Sequence, residues 1–325
     1  MKSLFTIILL VICSSALFSQ VEEYNDLVLG FENGTIQLEK DLSYYYLTAS
    51  NSYLAWYEGY TNQVYYQNLI NGKIGKIKPK KGRGPFEILS IRGLVIISNQ
   101  LFLLDSQNNK IVSYNMDKSE FVNEFITGRY RIQFITSSLE KVYGKAINRK
   151  AIYFEIDPSK EEIMPIEKSF EENFTRDMNR NIFRFEGPFL ANSEYLISVR
   201  TYEPSMYIFD LDGELNDFEY DETNLKPEYE FNEFGMATRP PLEVNMNLHD
   251  AALKPNSNII YLAREGYTEK YPKNNRSILY QYDYVKREYV GVLETGVESI
   301  GKIATNDRYL FVYDDKNFKI IKIKL

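Results

Sequence analysis

Cysteine and histidine are nearly missing from this sequence: each occurs once in 325 residues, as Cys13 and His249. A lone cysteine excludes a disulfide framework, so the fold must be held by its core alone. A lone histidine excludes any His-rich metal site and makes a zinc hydrolase untenable. A Ser–His–Asp triad would have to use His249, and no Gly-x-Ser-x-Gly elbow accompanies it. An excess of positive charge is missing too. The net charge of −7 argues against a nucleic-acid partner and gives no pull toward anionic lipid. After the first twenty residues no long apolar run remains, so the mature chain is expected to carry no transmembrane segment.

The one apolar run is N-terminal. "MKSLFTIILLVICSSALFSQ" has a cationic start at Lys2, an apolar stretch from Leu4 to Cys13 and a small-residue end from Ser14 to Ser19. That order is the plan of a cleavable secretory signal. We therefore divide the chain into a signal peptide, 1–19, and one domain, 20–325, exported to the periplasm or the extracellular space. Bulky Ile12 precedes Cys13, where bacterial lipoproteins prefer a small residue, so a lipid anchor at Cys13 is not expected.

Aromatic residues are abundant, with 27 tyrosines and 20 phenylalanines. They fall in short alternating segments such as "SYLAWYEG" (52–59) and "NQVYYQNL" (62–69), the pattern of half-buried strands, while helical periodicity hardly occurs. Asn33-Gly34, Asn71-Gly72 and Asp212-Gly213 sit between such segments as hairpin turns. Four strands in a row recur near 41–77, 88–126, 131–166, 181–220 and 246–294, and three more near 298–325. Repeats of roughly 40–50 residues with four strands each are the signature of a β-propeller. The expected fold is all-β: a six-bladed β-propeller whose last, three-stranded blade is completed by an N-terminal strand, "LVLGF" (27–31) or "TIQLE" (35–39). A β-sandwich or an open solenoid would need far fewer matching units. The segments 167–180 and 221–245 lack clear strands; the first has room for a helical turn or two and the second reads as a long inter-strand excursion.

"KPKKGRGPFEIL" (78–89) has the look of a phosphate cradle, but no Ser or Thr follows the lysine and the third glycine of a dinucleotide fingerprint is missing. Gly82 and Gly84 are expected to supply backbone angles closed to other residues, with Pro85 fixing the exit and the charges facing water. The stretch "KGRGPFE" resembles the Gly-x-Gly-Pro-Gly-Glu turn of exported, TolB-like six-bladed β-propeller proteins of Gram-negative bacteria. Gly82, Arg83, Gly84, Pro85 and Glu87 match in kind, whereas Phe86 stands where that family usually carries a third glycine. "LFLLDSQNNKIVSYN" (101–115) and "HDAALKPNSNIIYLA" (249–263) are similar to further segments of the family pattern. The resemblance implies an architecture and a compartment more than a reaction, because many members have no assigned activity.

Candidate binding residues are Arg83 and Glu87 on this turn, Arg239 on the long excursion, and His249 and Asp250 at the start of a blade, where polar side chains line a propeller channel. No catalytic residue is assigned and no cofactor is expected. The functional reading is a non-enzymatic binding or scaffold module that receives a protein, peptide or glycan through one face, with an outer-membrane uptake complex as one setting. The alternative is a calcium-dependent lactonase or hydrolase of propeller type, with Glu87, Asn247 and Asp250 as imagined ligands. "DLDGELND" (210–217) lacks the twelfth-position Glu of a calcium loop.

Overall fold

The computed structural model describes residues 21–24, 44–128, 130–138, 140–146, 153–158, 160, 162–166, 186–202, 205–211, 215–219, 230–231, 237–239, 248–265, 270 and 275–325. Among the described residues there is no helix. Alternation of apolar side chains produces six antiparallel four-stranded sheets: blade 1 (44–77), blade 2 (91–126), blade 3 (132–165), blade 4 (189–219), blade 5 (248–294) and blade 6 (300–324 with 21–24). The inner strands touch in sequence around a ring, and that of blade 6, Ile300–Thr305, meets that of blade 1, Tyr44–Ala49. The fold is the expected six-bladed β-propeller, and its blades coincide with the sequence repeats to within a few residues, apart from a later start of blade 4.

The last blade is completed by an N-terminal strand, as expected, but an earlier one. Val21–Tyr24 pairs antiparallel with Lys319–Lys324, Val21 lying opposite Ile323. Residues 27–31 and 35–39 lie outside the described residues, as do Asn33-Gly34, Asp212-Gly213 and the segment 167–180. An outermost strand pairs along one edge only and tolerates charge, so the polar "VEEY" suits that position. Asn71-Gly72 does form a hairpin turn, with Gly72 at a φ of 74°. Within 221–245 a small hairpin, Glu230–Phe231 with Ala237–Arg239, stands apart from the blades.

Both faces of the sheets are apolar, and six separate clusters fill the gaps between neighbouring blades. The period of two makes this possible. In blade 2, Leu101 and Leu103 face blade 1, whereas Phe102 and Leu104 face blade 3. Tyrosine and phenylalanine bridge the widening gaps: Tyr153 packs on Phe189 and Phe209 between blades 3 and 4, with ring centroids 5.3 and 4.5 Å apart. Each such buried side chain contributes about 1.5–3 kcal/mol.

Blades 6, 1 and 2 end their second strand on a buried carboxylate, Asp314, Glu58 or Asp105, which accepts from the backbone of the following tight turn. Asp105 does most. Its oxygens accept from Gln107 N at 3.1 Å, Asn108 Nδ2 at 2.8 Å and Leu89 N at 2.7 Å, joining the turn to the strand entering blade 2. Asp105→Ala leaves those part-buried donors without their acceptor. We expect a loss of about 2–4 kcal/mol in urea unfolding, against less than about 1 kcal/mol for Ala at exposed Glu120.

Candidate functional site

The six inner strands enclose a central channel of about 1030 Å³. They run in one direction, so their N-terminal ends form one mouth and the turns that leave them form the other. Five of the six carry a β-bulge at the same register, just inside the first mouth. A bulge inserts one unpaired residue and turns it out of the ladder. In blade 2 that residue is Arg92 and in blade 5 it is His249, and both line the channel.

The seam between blades 5 and 6 gathers the titratable groups of this mouth. His249 lies with Nε2 3.9 Å from Glu265 Oε1, beyond hydrogen-bond reach, and the buried Nε2 has no hydrogen-bond partner. Burial, with Arg276 and Lys302 nearby, pushes its imidazole down to about 4, against a smaller opposing pull from Asp315. His249 is therefore neutral near pH 7. Arg276 donates through Nη2 to Asp315 Oδ2 at 3.1 Å and to Ile300 O at 3.3 Å.

Asp250 has a structural occupation. Its Oδ2 accepts from Ile303 N at 3.0 Å, while Lys302 Nζ donates to His249 O at 3.2 Å and Thr305 Oγ1 to Leu253 O at 2.7 Å. Burial raises the Asp250 carboxyl above its ordinary range, opposed by Lys302 and by the backbone N–H groups of Ile303 and Ala251. The residue thus clamps the exposed edge of one inner strand to the next.

On the neighbouring blade 4, linked to blade 5 where Leu248 N donates to Thr201 O at 3.3 Å, lies a group the sequence did not single out. Glu186 and Tyr202 line the mouth and hydrogen-bond each other, and burial raises both. Behind them the wholly buried Lys145 donates to Gly187 O at 2.9 Å and Ser198 Oγ at 3.2 Å and sits 4.2 Å from the Phe134 ring centroid. Burial lowers its ammonium to about 7. Gly187 has a φ of 140°, and a side chain there would overlap the Val199 carbonyl, so only glycine lets the chain approach this closely. The second strand of blade 5 ends on buried Arg264, and buried Arg200 directly follows that of blade 4, each against a tyrosine ring. The repeated endings "ISVR" and "YLAR" are the sequence signal for these cations.

The turn at 78–90 lies away from the channel lining. Glu87 folds back over it: its Oε2 accepts from Gly84 N at 2.9 Å and its Oε1 pairs with Lys80 at 2.6 Å, contacts that hold its carboxyl below the ordinary range. The role expected of the two glycines needs correction. Neither has a positive φ; a Cβ at Gly82 would overlap the Glu87 carboxylate and push it from its place over the turn. The left-handed residue is Phe86, with φ at 56°, at the position where the resembling family has its third glycine. Stacking on Phe121, centroids 5.7 Å apart, offsets the cost of that conformation. The expectation that the charges face water holds for Lys78, Lys80, Lys81 and Arg83, all exposed, while Glu87 is half-buried. Arg239 belongs to the small hairpin, and Asn247 lies outside the described residues. Glu87 and Asp250 are not brought together. Among the described residues no three His, Cys, Asp or Glu side chains converge as a metal site.

No family model matches this sequence, and no curated protein matches it. Solved structures do. The structure of U3-55K superposes with a TM-score of 0.57 at 10% identity, covering 88% of this chain and 96% of that one. The RRP9 WD40 repeats give 0.51 at 11% identity, and virginiamycin B lyase from Staphylococcus aureus gives 0.50 at 12%, each covering 86% of this chain and 79% of the other. At such identities the likeness establishes the propeller fold.

The displaced imidazole gives a pH signature. Between about pH 4 and 6.5 the unfolded chain binds a proton at His249 that the folded chain does not, so this group makes stability rise with pH across that window. Below pH 4 its penalty is complete. His249→Gln should flatten the urea-midpoint profile between pH 4 and 6.5 relative to the parent, by on the order of 3 kcal/mol at its lower end. An unchanged slope would place His249 in water.

Proposed function

We propose that this chain is an exported, non-enzymatic binding propeller of the TolB-like kind, which recognises a protein, peptide or glycan through the face at the bulged mouth of its channel. The observation that carries this reading is the inequality of the two faces. At the bulged mouth the connections include 78–90, 166–188, 220–247 and 265–277, whereas the opposite face has only short turns such as 98–99, 192–194, 254–258 and 284–287. Long connections on a rigid scaffold are where recognition concentrates, because their side chains vary without disturbing the sheets. The same mouth presents Arg92, Glu186, Tyr202 and the neutral His249. The "GRGPFE" turn supports the likeness to exported propellers, and residues 1–19 support export.

The reading is tested with the purified domain on arrays of peptides and glycans, followed by titration of whatever binds. Arg92→Glu with Tyr202→Ala, at the bulged mouth, should weaken the bound ligands by at least about tenfold, and Lys254→Glu with Asn256→Ala, at the opposite mouth, should leave them unchanged. Equal loss from both pairs, or conversion of the ligand into product, would contradict it.

A further inference from the structure

A second surface lies on the outer strand of blade 1 and runs into the connection 78–90, and its argument does not rest on the residues that line the channel. Residues 73–83 carry six exposed cations, Lys73, Lys76, Lys78, Lys80, Lys81 and Arg83, in a chain of net charge −7. The one carboxylate between residues 70 and 90 is Glu87, already paired with Lys80. Two features distinguish this strip from an ordinary solvated run of charge.

The first is rigidity. Beyond the strand, Pro79 is buried, Ile88 N donates to Lys80 O at 2.8 Å, Asn108 Nδ2 to Gly82 O at 2.8 Å and the buried Lys110 Nζ to Gly84 O at 3.0 Å. Lys110 is itself fixed by Glu124 at 2.8 Å. Cations carried on an immobile backbone lose less freedom when a partner arrives. The second is an edge. Ile74–Ile77 is the outermost strand of blade 1 and pairs, among the described residues, only with Gln63–Asn68. Among the described residues no strand pairs with its other side, so its backbone donors and acceptors there can take a further strand.

We propose that this strip takes up an extended acidic peptide segment of a partner protein, which adds as a fifth strand beside Ile74–Ile77 and sets its carboxylates against the lysines and Arg83. Strand addition draws affinity from backbone hydrogen bonds and specificity from alternate side chains. A polynucleotide meets the charge but not the strand edge, and the acidic remainder of the surface repels a long polyanion. Lysines on an edge strand also discourage edge-to-edge aggregation. That role needs no cations on the anchored turn that follows, where Lys80, Lys81 and Arg83 stand.

The test uses a fluorescent peptide of about eight alternating glutamates and valines, long enough to span the strip at about 3.3 Å per residue. It should bind the purified domain at about 50 mM salt and weaken toward about 300 mM. The triple variant Lys76→Glu, Lys78→Glu, Arg83→Glu leaves the Lys80–Glu87 pair in place and should weaken binding at least about tenfold. Its thermal midpoint and Trp56 emission should match the parent. A peptide N-methylated at alternate residues should lose binding to the same extent, and this arm decides the matter with the parent protein alone. No peptide binding, equal binding by the folded triple variant, or equal binding of the N-methylated peptide would overturn the proposal. So would tighter binding at this strip of a DNA oligomer of equal charge or of phosphatidylglycerol vesicles.

Discussion

The structure depends on a sheet that is apolar on both faces and therefore cannot stand alone. Each blade needs a neighbour on either side, and a row of such sheets leaves two raw faces at its ends unless it bends into a ring. The last seam, between blades 6 and 1, removes those faces: Leu54, Trp56 and Tyr65 pack against Phe311, Tyr313 and Ile320. Polar contacts line the same seam at the channel end. Asn306 Nδ2 donates to Ser50 O at 3.0 Å, and Asn51 and Asp307 exchange two hydrogen bonds across 256 positions of sequence. Closure is thus a matter of blade-to-blade packing, with the strand Val21–Tyr24 covering the outer edge of blade 6.

Closure also explains where chemistry can sit. The blades' interiors are given over to packing, so polar side chains collect at the ends of strands and along the channel. In blades 6, 1 and 2 the second strand ends on a carboxylate that ties down a short turn. In blade 5 it ends on buried Arg264, in blade 4 buried Arg200 directly follows it, and in blade 3 the neighbouring buried cation is Lys145, one position earlier in register. The connections 166–188, 220–247 and 265–277 depart from the half of the ring with cations, and 78–90 from the half with carboxylates. The bulges then direct Arg92 and His249 into the mouth between these halves.

Much of this was legible in the sequence because the side-chain period of a strand is short and turn residues are distinctive. The repeats at 88–126 and 246–294 needed only alternation and turns, and the loan of an N-terminal strand followed from a final unit one strand short. Which strand was lent did not follow, since "VEEY" has no apolar alternation to mark it. His249 and Asp250 were placed in the channel from their position at the start of a blade. That Asp250 accepts from Ile303 depends on a neighbour 53 positions away, which no local pattern encodes. Lys145, in "KVYGKA", reads as solvent-facing by its charge, and only the packing of Phe134 and Phe189 around it reveals burial. At "GRGPFE" the sequence identified a structural turn but assigned the unusual backbone to its glycines, whereas the chain spends them on room for Glu87 and bends at Phe86.

The claim that the ring is closed by packing between its first and last blades has a built-in reporter, because Trp56 is the only tryptophan and is buried in that seam. Its fluorescence and the far-ultraviolet circular dichroism should be followed through the same urea titration. A closed ring predicts the emission of a water-shielded indole in the native protein and a single transition in which both signals move together. A water-exposed emission before any urea is added, or a shift of Trp56 completed well before the strands are lost, would contradict it.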